Sequence, residues 1–188
     1  MGSDLWPVVC GTGHRKMPAD QFRWMDEQLL RIIEKLQTDH GMEIGVSGMA
    51  LCFDQRWAEL VKFSGSRLHA MLPFSTQADV WPMAAQDHWH EILAVADEVI
   101  VVSPDEPTSP RQAAAMLHAR NRAMLDVSDI VVACWDPERG KGKKHKGGTH
   151  GAVVEACRRK LPIIWLNPDA RTVTMPTTAA WTRILAAA

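Results

Sequence analysis

One arginine lies where the sequence pattern calls for an apolar side chain. Ala113, Leu117, Met124 and Val127 recur at the spacing of one helix face, and Arg120 occupies the middle position of that face. An unpaired guanidinium buried against a core costs several kcal/mol, so this face must meet either an acidic side chain or an anionic ligand. A phosphate group would satisfy that requirement.

A second element suited to anions follows further along the chain. Gly147, Gly148 and Thr149 open a predicted helix, and the N–H groups at a helix N-terminus bind phosphate readily. The preceding loop, residues 138–146, is rich in lysine and ends in Lys146, so it could cover such a site or simply be a solvated, flexible loop. Together with Arg120, these residues predict binding of a nucleotide or a nucleotide-derived small molecule.

The same stretch resembles a Walker A motif but differs at the decisive position. Residues 142–149 read Gly-x-x-x-x-Gly-Gly-Thr, so Gly148 stands where the phosphate-binding lysine belongs. The sequence therefore argues against a P-loop NTPase.

Length and composition limit the class of protein. The chain has 188 residues and a formal net charge of −1, which suits one domain over 1–188, with a core over about 5–167 and a C-terminal tail over 168–188. This charge balance argues against a surface built throughout for nucleic acid, so any basic site must be local. The scattered cysteines and the lack of a long apolar run predict a soluble, cytoplasmic protein that does not enter a membrane.

Short apolar runs alternate with amphipathic helical patterns along the chain. Six runs are predicted to be strands: Trp6–Cys10, Glu43–Ser47, Leu68–Leu72, Val99–Val102, Ile130–Trp135 and Ile163–Leu166. Pro104–Pro110 and Thr172–Thr178 are predicted to be surface loops. This alternation predicts an α/β fold, a Rossmann-like three-layer α/β/α arrangement with a mainly parallel sheet of about six strands.

Polar and glycine residues cluster where these strands should end, and parallel sheets bind ligands at those ends. The candidate ligand-binding residues there are Gly11, Thr12, Gly13, His14 and Arg15 after the first strand, Ser47, Gly48 and Met49 after the second, and Asp136 after the fifth. Asp54 lies near a helix start, where the helix dipole or a ligand could equally account for a carboxylate. The first group could also be an ordinary tight turn, and it lacks the third glycine of a dinucleotide fingerprint.

Other chemistries find less support in the sequence. His88 and His90 are two apart on a predicted helix and face different ways, and no histidine or cysteine spacing matches a zinc site. Ser47 and Cys52 have no base placed beside them by the sequence. We therefore predict neither a metal nor a bound cofactor.

Taken together, these motifs resemble the LOG-like superfamily of Rossmann-type proteins, called SLOG, and especially its YpsA-like branch. The resemblance runs from residue 8 to about 166 and depends on the following segments: Gly11–Arg15, Ser47–Ala50 with Phe53-Asp54, Pro73-Phe74, Asn121-Arg122 and Gly147–Thr149. Each motif is short, but their order and their placement at strand ends make the combination specific.

The resemblance implies particular roles for several residues. LOG enzymes hydrolyse the N-glycosidic bond of nucleoside 5′-monophosphates and carry a catalytic arginine in a Met-His-x-Arg-Lys-x-x-Met helix. The segment 117–124 places Arg120 at that arginine and Asn121 beside it. The catalytic glutamate of those enzymes falls on Ala152 here, and Glu155, on the same helix face, is the candidate to replace it.

The strand-end residues, Arg120 and the resemblance together suggest three functions. The first is binding of a nucleotide-like small molecule, in a sensing or sequestering role, because some superfamily members bind nucleotide-derived signals without known catalysis. The second is a phosphoribohydrolase in which Arg120 anchors the phosphate while Glu155 or Asp136 stabilises charge on the ribose. The third is single-stranded nucleic-acid binding, as in the distant DprA proteins, although the basic loop lacks stacking aromatics and nucleic acid is not the expected partner. Relatives commonly pair through helices, so a homo-oligomer is expected.

Overall fold

The computed structural model describes residues 4–140 and 147–176, together with the isolated positions 182 and 186. The side chains of residues 139 and 140 are not included in that description. Predictions that concern Lys146, the other lysines of its loop and the chain end beyond residue 176 therefore lie outside the described residues.

Seven strands of the described chain form one sheet, and the first six of them run parallel to one another. The strands are β1 (Val8–Gly13), β2 (Ile44–Ser47), β3 (Arg67–Leu72), β4 (Glu98–Val101), β5 (Ile130–Cys134), β6 (Ile163–Asn167) and β7 (Thr172–Thr174). Their order across the sheet is β4-β3-β2-β1-β5-β6-β7, and only β7 runs antiparallel to its neighbour. The predicted mainly parallel sheet is confirmed.

Five helices cover the two faces of this sheet. They are α1 (Ala19–His40), α2 (Phe53–Phe63), α3 (Met83–Ala94), α4 (Pro110–Asp126) and α5 (Gly148–Arg158), and a short 3-10 turn covers Pro137–Gly140. On one face, α1, α2 and α3 bury apolar side chains such as Leu29 and Trp57 against the strands. On the other, α4 and α5 bury Met124 and Val153, which completes the predicted three-layer α/β/α arrangement.

Three local predictions need correction. The segment predicted as a loop over Thr172–Thr178 contains β7, which is too short to show alternation and lies at the sheet edge, where polar residues are common. Strand β1 extends to Gly13, so the glycines expected after the strand lie inside it. Val127 is 47% exposed, so the predicted apolar face of α4 is buried at Arg120 and Met124 but does not continue to Val127.

The chain order creates a switch point in the sheet. From β1 the chain builds β2, β3 and β4 towards one edge, and α4 then carries it back to β5 on the other side of β1. In open α/β sheets a crevice forms beyond the carboxyl ends of the strands where the order reverses. The boundary between β1 and β5 is that position here.

Candidate functional site

A cleft of about 440 Å³ lies at the carboxyl ends of β1 and β5, at the switch point of the sheet. This volume falls within the range of small-molecule sites. The predicted residues that line it are Thr12, Gly13, His14, Arg15, Asp54, Arg120, Asn121, Asp136, Gly147, Gly148 and Thr149. Residues from both ends of the sequence therefore meet in one place.

Arg120 projects from α4 into the floor of this cleft and is only 2% exposed. Its Nη1 lies 3.4 Å from Oδ2 of Asp54, on the first turn of α2. Its Nε has no hydrogen-bond partner among the described residues. Arg120 is therefore a buried charge that is only partly satisfied within the described chain. Its guanidinium has one long contact with a carboxylate, and its Nε–H donor has no acceptor there.

Gly48 makes this position of Arg120 possible. A Cβ built on Gly48 would lie 1.0 Å from Nη1 and 2.2 Å from Cζ of Arg120, so no larger residue fits while the guanidinium stays in place. Gly48 follows β2, and its missing side chain lets Arg120 reach across the sheet end from α4 to α2. Gly48 therefore shapes the site by contacting Arg120.

Asp54 is buried, and this burial raises the pKa of its carboxyl group. The positive charges of Arg120 and Arg15 oppose that shift, as does the N–H of Ala50, which lies 3.4 Å from Oδ2. Burial lowers the pKa of Arg120, but a guanidinium keeps its proton in proteins. The cleft therefore has a permanent cation paired with a carboxyl group whose charged form is disfavoured.

The N-terminus of α5 forms the opposite wall of the cleft. Gly147 precedes the helix with φ +91°, a left-handed conformation that favours glycine. The Thr149 hydroxyl donates a 2.7 Å hydrogen bond to the carbonyl of Gly13, and Asn121 donates one of 3.3 Å to the carbonyl of Gly148. These bonds fix the helix start against β1 and α4, so the positive end of the helix dipole lies beside the cleft.

The ends of β1 and β5 are also joined by a hydrogen bond. His14 Nε2 accepts a 2.8 Å bond from the backbone N–H of Asp136, which identifies Nε2 as the unprotonated ring nitrogen in this arrangement. The Asp136 carboxylate accepts a bond from the N–H of Glu138 and thereby orders the following turn. Arg15 is exposed on the cleft wall, where it adds positive charge.

Part of the lining was not among the predicted ligand-binding residues. These additional side chains are Ala50, Ala114, Leu117, His118, Trp135 and His150. Helical spacing carries a signal for three of them, because positions 114, 117 and 118 share a helix face with Asn121. The ring centroids of Trp135 and His150 lie 5.7 Å apart, and the two rings form an aromatic wall. No local sequence motif predicts this contact.

Several predicted ligand-binding residues do not reach the cleft. The Gly11 position packs under the indole of Trp57, where an added Cβ would lie 2.5 Å from the ring. Ser47 is buried, donates to the carbonyl of Asp54 and accepts from the N–H of Met49, whose side chain is also buried. Ser47 and Met49 thus build the turn between β2 and α2, whereas Gly11 lies in β1 and leaves room for Trp57.

Glu155, the candidate replacement for the catalytic glutamate, also lies elsewhere. Its Oε1 accepts a 2.9 Å bond from Nε of Arg159 one helical turn later. Its side chain lines a smaller depression between α4 and α5, together with Arg122 and Gly151. Residues 152 and 155 both line this depression, and neither of them lines the cleft of Arg120.

Two features are absent from the part of the chain that the structure describes. No three His, Cys, Asp or Glu side chains converge there in a way that could hold a metal ion. None of the helices described between residues 4 and 176 combines the length and apolarity needed to cross a membrane.

Comparison with known proteins identifies the family. The YpsA model, described as the YspA SLOG family, matches residues 13–170. The chain therefore belongs to this SLOG family, as the strand-end motifs predicted.

Two relatives support this placement. The chain is 30% identical over 146 residues to a UPF0398 protein of Ligilactobacillus salivarius (strain UCC118), covering 70% of this chain and 76% of the relative. It is 31% identical over 163 residues to an uncharacterized SPbeta prophage-derived protein, YoqJ, of Bacillus subtilis (strain 168), covering 77% and 88%.

Solved structures share the fold at lower identity. DNA processing protein A (DprA) of Helicobacter pylori, whose structure concerns its single-stranded DNA binding mode, matches with TM-score 0.62 at 18% identity over 99% of this chain and 74% of that protein. DprA of Streptococcus pneumoniae matches with TM-score 0.60 at 18% identity over 86% of this chain, but the match spans only half of that protein. A molybdenum cofactor binding protein of Rippkaea orientalis gives 0.54 at 19% identity over 96% and 82%.

These neighbours establish the fold and bear on one expectation about partners. Because proteins of this fold include one that binds single-stranded DNA and one that binds a cofactor, the comparisons give no ground for setting nucleic acid aside as a partner.

Proposed function

We propose that this protein binds a nucleotide or a nucleotide-derived small molecule through a phosphate group held in the cleft, in a sensing or sequestering role. The proposal depends on Arg120, which lies in the floor of a cleft of about 440 Å³ and is only 2% exposed. Its Nε has no hydrogen-bond partner among the described residues. An unused buried donor of this kind is costly unless a ligand satisfies it.

The surroundings of Arg120 support a phosphate as that ligand. The first turn of α5, opened by Gly147, Gly148 and Thr149, presents backbone N–H groups to the same cleft, and Arg15 adds a second cation. The half-buried ring of His150, which packs against the buried Trp135 and lines the cleft, offers a surface against which a planar base could stack. A phosphate next to a base is the chemistry of a nucleotide.

A thermal melt tests this proposal directly. AMP, ADP-ribose, NAD and cyclic AMP are added separately, because a ligand at about 100 times its dissociation constant stabilises the folded protein by about 2.7 kcal/mol. For a chain of this size, such a gain raises the melting temperature by roughly 5–10 °C. Mass spectrometry of small molecules released on denaturation then names the compound that the protein carries from the cell.

A matched pair of variants assigns the effect to the cleft. Arg120→Leu removes the buried cation and is expected to abolish the ligand-induced shift. Arg67→Leu makes the same change at an exposed arginine on β3 that pairs with Glu43, so it should keep the shift. No stabilisation by any of the four compounds, or equal shifts in both variants, contradicts the proposal.

The same samples distinguish the two other candidate functions. Release of free base from AMP identifies a phosphoribohydrolase, for which Asp136, unlike Glu155, lies in the cleft with Arg120. Salt-sensitive retention of a single-stranded oligonucleotide, with no shift from mononucleotides, identifies nucleic acid as the partner.

A further inference from the structure

Asp54 occupies the position on Arg120 that an incoming phosphate needs. The two side chains are 6% and 3% exposed, and both line the cleft. Their contact of 3.4 Å is long for a charge-assisted hydrogen bond, which normally measures about 2.7–2.9 Å. The carboxylate therefore holds the guanidinium loosely and can be replaced.

The rest of the contacts around Arg120 also leave room for a stronger partner. Within the described chain, Nη1 contacts only Asp54 and, at 3.6 Å, the sulfur of Met124, and Nε has no hydrogen-bond partner there. A phosphate offers several acceptor oxygens to such a planar fork, whereas Asp54 contributes one oxygen.

Two negative charges cannot share this buried cation at low cost. A phosphate bound at Arg120 places its charge within a few ångströms of the Asp54 carboxylate, and like charges a few ångströms apart in a buried site repel strongly. Protonation of Asp54 removes the repulsion, and the neutral acid can then donate a hydrogen bond to a phosphate oxygen.

We propose that phosphate binding at Arg120 is coupled to protonation of Asp54, so that the bound ligand displaces the carboxylate from the guanidinium and Asp54 takes up one proton from solvent. This inference rests on the proposed function and adds to it a control by pH. Asp54 acts as an internal competitor that sets the affinity of the anion site.

Other charged groups face Asp54 or line the same cleft, and their effects on binding must be distinguished from the titration of Asp54. Arg120 approaches from α4 and Arg15 from the segment after β1, and both oppose the effect of burial on the Asp54 pKa. Cys10 on β1 is neutral because burial raises the pKa of its thiol to about 12. The remaining titratable lining residues are His14, His118, Asp136 and His150. The pH profile of the wild type alone therefore does not isolate Asp54, and a comparison with a variant is needed.

Calorimetric titration of the wild type and of Asp54→Asn with ADP-ribose between pH 5 and pH 8 tests the coupling. ADP-ribose is used because its diphosphate lacks the second ionisation near pH 6, about the value of a phosphomonoester. At pH 8 we expect Asp54→Asn to bind about tenfold more tightly, since one repulsive charge is removed. The two affinities should converge as the pH falls, because wild-type Asp54 becomes neutral.

Asp97→Asn is the matched control, since it makes the same change at a carboxylate that pairs with Lys62 outside the cleft. It should leave the pH slope of binding as in the wild type. The coupling is overturned if Asp54→Asn binds no more tightly than the wild type at pH 8, or if Asp97→Asn changes the slope equally.

A second measurement on the unaltered protein covers the case in which Asp54→Asn does not fold. Carbon NMR of the Asp54 carboxyl group gives its pKa directly, and saturating ADP-ribose should raise that pKa; an unchanged value overturns the coupling. If the wild type binds none of the four compounds named above, the proposed function itself fails. Binding without the pH effect overturns only the coupling.

Discussion

At the scale of single residues, the site depends on a side chain that is missing. Gly48 lies directly beneath the guanidinium of Arg120, and the backbone there provides the space that a methyl group would fill. The sequence does not reveal why position 48 must be glycine. Gly48 and Arg120 are far apart in the chain and meet only because α4 crosses the end of the sheet.

Replacing Gly48 by alanine should therefore dislodge Arg120. The new Cβ would lie 1.0 Å from Nη1, so the guanidinium must leave its place beside Asp54. We expect a loss of about 1–3 kcal/mol in the free energy of unfolding, as for other overpacked sites, together with at least a tenfold loss of ADP-ribose affinity. Urea denaturation and calorimetry measure the two effects.

Gly151→Ala provides the control for this variant. The added Cβ would meet its nearest neighbour, His118, at 3.8 Å, which is an ordinary contact, and alanine favours a helix over glycine by about 1 kcal/mol. Gly151→Ala should be as stable as the wild type or more so. Unchanged stability and binding in Gly48→Ala would contradict this account of Gly48.

At the scale of elements, β1 and α2 fit together through glycines. Phe53 and Trp57 of α2 are fully buried, and their rings occupy the space that side chains at Gly13 and Gly11 would take. The sequence correctly predicts both elements from apolar spacing. It does not distinguish a glycine that admits a neighbouring helix from one that admits a ligand, because both need the same absence of a side chain.

The contact between Gly13 and Phe53 predicts strong coupling between two substitutions. A Cβ on Gly13 would lie 2.3 Å from Cγ of the Phe53 ring, so Gly13→Ala should cost about 3 kcal/mol or more. Phe53→Ala should cost about 3–5 kcal/mol through the cavity that it leaves. In the double variant each change relieves the other, so the total cost should fall short of the sum by at least about 1 kcal/mol. Denaturant unfolding of all four proteins measures this difference, and simple additivity would contradict the packing.

At the scale of the whole molecule, the switch point between β1 and β5 gathers residues from across the chain into one cleft. Alternating strands and helices are predictable from local periodicity, and so is the family, because its motifs lie at strand ends. The partners of each motif are not predictable in this way. Arg120 pairs with Asp54 across the sheet end, whereas Glu155 pairs with Arg159 at the end of α5 and does not line the cleft.

The pair of Asp54 and Arg120 joins a helix on one face of the sheet to a helix on the other. The charge state of Asp54 should therefore affect the free energy of unfolding of the whole protein. Burial raises the Asp54 pKa in the folded protein above the unfolded value of about 3.9. Between these two values the folded protein binds more protons than the unfolded chain, so the contribution of Asp54 to stability falls as the pH rises. Asp54→Asn lacks this titration.

The stability of the wild type relative to Asp54→Asn should accordingly decrease as the pH rises from 4 towards 8, as measured by urea denaturation without ligand. Asp97→Asn should behave in the opposite way. The hydrogen bond from Lys62 lowers the pKa of Asp97, so its contribution is present above the unfolded pKa and is lost on acidification. The stability of the wild type relative to Asp97→Asn should therefore increase with pH over the acidic part of the range. Curves of the same slope for both variants would show that Asp54 is ionised in the folded protein as readily as an exposed carboxylate.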